Sequence, residues 1–121
     1  MRRVILTLIA LLLTACEAPS TSHTDIVRAV QQGALIVDVR TPEEFATGHY
    51  PGAINVPHDA IVSGLSTRAV TPDSSIVLYC RSGNRSQKAE AAWRGQGFSN
   101  TLNAGGLSDM LAATGQSTVA P

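Results

Sequence analysis

The sequence is poor in cysteine, aromatics and charge. Among 121 residues there are two Phe, two Tyr, one Trp and two cysteines, Cys16 and Cys80. Two cysteines cannot build a disulfide-knotted miniprotein. Charged residues make up 15% of the chain, and nine basic side chains balance nine acidic ones. No basic patch supplies the phosphate neutralisation that nucleic-acid binding requires, so no nucleic-acid partner is expected. Long apolar runs are also scarce. The one near the start covers residues 4–13, broken by Thr7. As a helix it would rise about 15 Å, half the hydrocarbon thickness of a bilayer, which argues against a membrane span. What the chain does have is 44% apolar residues, too many for a disordered segment. With so few aromatics, its core must rest on Ile, Leu, Val and Ala. The length fits one domain.

The first residues read as a targeting segment. Arg2 and Arg3 form a basic start, the apolar run follows, and Leu13-Thr14-Ala15-Cys16 closes it. Small residues before a cleavage point suit signal peptidases. The four positions ending on cysteine resemble the bacterial lipobox, in which the thiol is lipidated and becomes the mature N-terminus. The alternative is an ordinary signal peptide with Cys16 as bystander. Cleavage before Cys16 would leave 106 residues with seven basic and nine acidic side chains. The expected location is the bacterial cell envelope, facing the periplasm. There, acyl chains on Cys16 would hold the protein to a membrane. The folded part then contains a single thiol, Cys80, either inert and buried or reactive.

Beyond a short polar tether the pattern alternates helix and strand. Ile26, Val27, Ala29 and Val30 have helical spacing, with Thr24 as the expected cap and Gly33 as the stop. Residues 34–39 form an apolar run closing on Asp38, as in a strand buried on both faces. Thr41-Pro42-Glu43-Glu44 has the order of a capping box with proline at the first helical position, and that short helix should stop at Gly48. Residues 53–56 form a short strand, residues 58–65 a helical turn or two, and residues 75–79 a second buried strand with Cys80 directly after it. A helix is expected over residues 86–95, with Ala89, Ala92 and Trp93 on one face. A short strand over residues 100–102, a turn at Gly105-Gly106, a helix over residues 107–113 and a frayed tail complete the reading. The fold class is therefore α/β: a small, mostly parallel sheet covered by helices on both faces.

This order puts Cys80 at the carboxyl end of a central strand, the edge where open α/β sheets bind ligands. The loop Arg81-Ser82-Gly83-Asn84-Arg85 leads from it into a helix. Inward loop amides, a helix N-terminus and the charges of Arg81, Arg85 and Lys88 all favour a thiolate over a thiol. The residues thus describe a cysteine nucleophile in an anion-binding loop. No histidine adjoins it in sequence, and none is needed once the thiolate exists and the leaving group is good.

These residues resemble the rhodanese family. Cys80-Arg81-Ser82-Gly83-Asn84-Arg85 matches its C-x-x-G-x-R loop. Asp38-Val39-Arg40 matches its D-V-R signature, with Glu43-Glu44-Phe45 following. The segment from Gly48 to Pro57 matches G-H-I-P-G-A-x-N-I-P, with Tyr50 in place of Ile. Gly105-Gly106-Leu107 matches a late double glycine. Within the family the chain is most similar to small single-domain periplasmic members of the phage-shock type. The resemblance implies sulfurtransfer without a cofactor or metal. Cys80 would take sulfur from a small donor such as thiosulfate, hold it as a persulfide, and pass it to cyanide or a thiol. It also implies that Arg81, Ser82, Gly83, Asn84, Arg85 and Ser86 bind the donor and the persulfide.

Asp38 and Arg40 are read as structural ion-pair residues, Arg40 pairing with Glu43 or Glu44, and Glu44 as further support. Ser86 has a helix cap as its alternative role, and the double glycine either turn chemistry or close approach to the loop. The expected division is residues 1–15 as signal peptide, 16–23 as lipidated N-terminus and tether, 24–113 as the rhodanese domain and 114–121 as a flexible tail, in a monomer. Other readings stay in play. Related phosphatases and arsenate reductases use a loop one residue longer, which here would need arginine at Ser86. A non-catalytic binding module or a persulfide carrier would use the same fold.

Overall fold

A computed structural model describes residues 21–121 apart from Thr67 and Ala69. The signal segment, Cys16 and most of the tether lie outside the described residues. Among those described, no helix is long and apolar enough to cross a membrane. In the described residues five α-helices, one 3-10 turn and four strands follow one another: α1 (His23–Gln31), β1 (Leu35–Asp38), α2 (Pro42–Thr47), β2 (Ile54–Asn55), the 3-10 turn (His58–Ala60), α3 (Ile61–Ser66), β3 (Ile76–Cys80), α4 (Asn84–Gly95), β4 (Thr101–Gly106) and α5 (Leu107–Thr114). The strands form one sheet in the order β2-β1-β3-β4, all parallel.

Side-chain alternation along β3 divides the interior. Ile76, Leu78 and Cys80 point into one cluster with Val37, Leu65, Ala89 and Trp93. Val77 and Tyr79 point into the other with Ile26, Ile36, Ala104 and Met110. Because β3 is covered on both faces, all five of its residues are buried. α3 and α4 cover the first face, α1 and α5 the second. The scarce aromatics are concentrated in and against these cores: Tyr50, Tyr79 and Trp93 are buried, Trp93 stacks on Phe98 and Phe45 on His49.

Several expectations shift at element ends. The cap of α1 is Ser22, whose side chain accepts from the Asp25 N–H, so the helix starts before Thr24. Cys80 is the last residue of β3, not the residue after it. α4 begins at Asn84, and Ala92 faces solvent rather than sharing the buried stripe of Ala89 and Trp93. β4 runs on through Gly105 and Gly106, which are strand, not turn. A register shift between Leu78 and Cys80 brings Gly106 opposite Cys80. The residues after α5 also fold back, since Val119 exchanges two backbone hydrogen bonds with His49. The α2 expectation holds in detail: Thr41 caps, Pro42 opens the helix, and Glu44 completes the box.

Candidate active site

The carboxyl ends of β1 and β3 lie side by side, with Asp38 opposite Tyr79, and each ends in a charge-bearing group. At β1, the Asp38 carboxylate is sealed from solvent. It accepts from the Arg40 N–H at 2.9 Å, from Arg40 Nε at 3.0 Å, from Arg40 Nη2 at 2.6 Å and from the Tyr79 hydroxyl at 2.7 Å. Arg40 thus pairs with Asp38, two residues away, and not with Glu43 or Glu44. Burial opposes the Arg40 charge, but the bonds to Asp38 outweigh it and raise its pKa. Burial also pushes the Tyr79 phenol up, and the bond it donates to Asp38 adds to this. Arg40 Nη2 reaches on to the Gly48 carbonyl, which anchors the end of α2.

At β3, Cys80 Sγ is fully buried and accepts from the Gly83 N–H at 2.9 Å. The Ser86 hydroxyl lies 3.5 Å from the same sulfur. Burial alone would raise the thiol pKa. The Ser86 hydroxyl and the N–H groups of Ser86, Ser82 and Gly83 outweigh it and hold the thiol below its usual range. The loop amides therefore point inward at the sulfur, as the sequence suggested.

Two glycines allow this turn to form. Gly83 caps α4 in the left-handed region, at a φ of 99°, with no side-chain cap. Gly106 lies against the loop so closely that a Cβ there would run into the Arg81 carbonyl oxygen. Close approach is thus the role of the double glycine. Ser86 is not a cap: it sits inside α4, buried, with its hydroxyl on the loop.

The arginines divide. Arg85 forks onto Glu44, with contacts of 2.7 and 3.0 Å. That fork lowers the Glu44 carboxyl to about 2, and the carboxylate in turn raises the Arg85 pKa. Arg85 therefore ties the loop to α2. The Arg81 side chain is exposed and makes no ion pair among the described residues. It lines a groove with Arg40, Glu44, Thr47, Leu107 and Ser108. Asn84 and Ser82 are exposed on the other side of the loop.

Sequence reading passes over the Tyr79 hydroxyl on Asp38 and, nearer the sulfur, Asn103. Asn103, on β4, accepts from the Ser86 hydroxyl at 2.7 Å and the Gly105 N–H at 2.9 Å, and its amide donates to the Gly83 carbonyl at 3.2 Å. The available signal was a lone amide beside the double glycine.

The structure is a parallel α/β sheet that presents a cysteine at the carboxyl end of a central strand, against the amides of the loop that follows. The chain matches the rhodanese-like domain over residues 22–113 and belongs to the rhodanese family. It is 39% identical over 90 residues to a sulfurtransferase of Allochromatium vinosum, covering 74% of this chain and 82% of that one. It is 32% identical over 74 residues to the thiosulfate sulfurtransferase PspE of Escherichia coli, covering 61% and 71% respectively. Among solved structures, the human single-domain sulfurtransferase TSTD1 superposes with a TM-score of 0.68 at 28% identity, covering 79% of this chain and 97% of that one. A rhodanese with anions from E. coli superposes with a TM-score of 0.66 at 28% identity, covering 74% and 100%.

Proposed function

We propose that the protein is a rhodanese-type sulfurtransferase working through a persulfide on Cys80. The observation that carries this reading is the Cys80 sulfur, which accepts from the Gly83 N–H at 2.9 Å and is held below the usual thiol range by the Ser86 hydroxyl and the loop N–H groups. In the first half-reaction the thiolate attacks the outer sulfur of thiosulfate. A new S–S bond forms, the donor's S–S bond breaks, and its electron pair leaves with sulfite. Cys80 then carries a terminal sulfur anion in the cradle that held the thiolate. In the second half-reaction the carbon of cyanide or the sulfur of a thiolate attacks that terminal sulfur, and the Cys80 thiolate is the leaving group. This is a double displacement with a covalent intermediate.

The exposed guanidinium of Arg81 supplies attraction for the doubly charged donor, while Arg85 holds the loop to Glu44. From Cys80 to Arg85 the loop has six residues, and its Gly83 amide already contacts the sulfur. That supports a sulfur ligand over a tetrahedral oxyanion. The names of the relatives support thiosulfate as donor.

Thiosulfate added to the purified full chain should place one extra sulfur on the Cys80 peptide by mass, and cyanide should remove it as thiocyanate. Cys80→Ser should do neither. An unmodified Cys80 peptide, or thiocyanate formation by Cys80→Ser at the normal rate, would overturn the reading. We further propose lipid anchoring through Cys16, supported by the Leu13-Thr14-Ala15-Cys16 sequence behind a basic and apolar start. Cys16→Ala should then lose lipid labelling and membrane pelleting; continued pelleting would count against the anchor.

A further inference from the structure

The Ser86 hydroxyl has one proton and four acceptors within reach. They are Asn103 Oδ1 at 2.7 Å, the Gly83 carbonyl at 3.1 Å, and both Cys80 Sγ and the Gly105 carbonyl at 3.5 Å. One proton makes one good bond at a time, and the shortest of the four leads to Asn103. The orientation of the Asn103 amide follows from its neighbours. Its oxygen faces two donors, the Ser86 hydroxyl and the Gly105 N–H, and its nitrogen faces the Gly83 carbonyl. Gly83 in turn gives its own N–H to Cys80 Sγ. Asn103 thus contacts two of the residues that hold the sulfur and does not contact the sulfur itself.

Building on the reading of Cys80 as the sulfur carrier, we propose that Asn103 is a positioning residue that shares the Ser86 proton with Cys80. Its Oδ1 holds the proton while Cys80 is a neutral thiol and yields it when the sulfur becomes an anion. A neutral thiol is a weak acceptor, so the amide oxygen wins the proton. A thiolate or persulfide anion makes charge-assisted bonds roughly twice as strong, so the hydroxyl turns to sulfur. The switch leaves no buried group unpaired, because Oδ1 keeps the Gly105 N–H. Throughout, Nδ2 keeps Gly83 in place under the sulfur.

The sign of one measurement separates this role from plain scaffolding. Asn103→Leu keeps the branching at Cγ, is bulkier, and can neither accept nor donate. Without Oδ1 the Ser86 hydroxyl beside a neutral thiol is left with the longer contact to the Gly83 carbonyl, which already accepts from the Gln87 N–H, so the thiol state loses more than the anion state and the thiolate gains. A residue that only props the loop would act the other way, since loosening Gly83 takes a donor from the thiolate. Alkylation of Cys80 by iodoacetamide, followed on its peptide in the full chain, reads the thiolate fraction against pH.

The midpoint for Asn103→Leu should fall by about half a pH unit, a threefold gain in thiolate below the midpoint. The double variant Asn103→Leu/Ser86→Ala should have a midpoint no lower than that of Ser86→Ala alone, because only the loss of the Nδ2 bond to Gly83 is then left to act. A midpoint that rises or stays, or a fall that survives in the Ser86→Ala background, would overturn the proposal. Asn103→Ala carries the same predictions without the bulk of leucine and decides the matter if the leucine variant does not fold. The readout needs no sulfur donor. A chain that alkylates as described but forms no persulfide would defeat the functional reading while leaving the Asn103 arrangement intact.

Discussion

Two adjacent strand ends on one sheet edge treat negative charge in opposite ways. At the end of β1, Asp38 is locked against the Arg40 guanidinium and the Tyr79 hydroxyl. At the end of β3, Cys80 meets backbone amides and a serine hydroxyl, with no ion pair to the sulfur among the described residues. A carboxylate neutralised by a buried cation is stable and chemically silent. A sulfur anion held by backbone dipoles, with the Arg85 charge acting on it only through space, keeps its nucleophilicity. The Arg85–Glu44 pair spans the distance between the two ends, tying the loop after β3 to the helix after β1.

The largest effect on stability should come from breaking the silent end. Asp38→Ala would leave the Arg40 guanidinium and the Tyr79 hydroxyl buried without their acceptor. Loss of one partner from a buried pair costs about 3–5 kcal/mol. Urea unfolding should show that loss, and a change near zero would mean the pair is not buried in solution. Next in size is the spacing between the reactive end and β4. Gly106→Ala would push a methyl into the Arg81 carbonyl. An overpacked contact of this kind costs about 1–3 kcal/mol, and sulfur transfer should fall further than stability because the displaced backbone is the cradle itself. Normal transfer in that variant would separate the double glycine from the loop.

The smallest effect concerns the bridge. Glu44 has an ordinary pKa near 4.5 and sits at about 2 in the fold. A group depressed on folding stabilises fully above its unfolded value and loses that contribution as pH falls toward its folded value. Stability should therefore decline between pH 4.5 and 2, and Glu44→Gln should flatten the decline in an acid unfolding titration. An unchanged slope would show the pair to be too solvated to matter. The lowered pKa of the Cys80 thiol predicts a transfer rate that persists below the usual thiol range as pH drops, since the fold keeps the thiolate charged.

How much of this was visible in the chain follows from distance along it. The capping box of α2 spans Thr41 to Glu44, and the Cys80 loop closes within six residues, so both could be read directly. Asp38 and Arg40 were visible as ionic residues, but their mutual pairing was not. Local geometry made Glu43 and Glu44 equally reasonable partners, and the choice depended on burial beneath Tyr79. The Glu44–Arg85 contact joins residues 41 apart, and the Asn103 contacts reach back 17 and 20 residues to Ser86 and Gly83. No periodicity predicts those. Ala92 shows the same limit in reverse, since helical spacing placed it on a stripe that the packing of α4 leaves exposed.

By itself, the sequence determined the α/β alternation, the position of Cys80 at a strand end and the short loop that surrounds it. Each of these is set by nearest-neighbour chemistry: apolar runs, capping residues and glycine. The tertiary structure alone decided which charges are spent on each other and which remain available. It paired Arg85 with Glu44, left Arg81 exposed, and brought β4 under the loop through a register shift. Those outcomes depend on parallel strands that lie far apart in the chain meeting at one edge, where hydrogen bonds of about 3 Å select among partners that the sequence leaves equivalent.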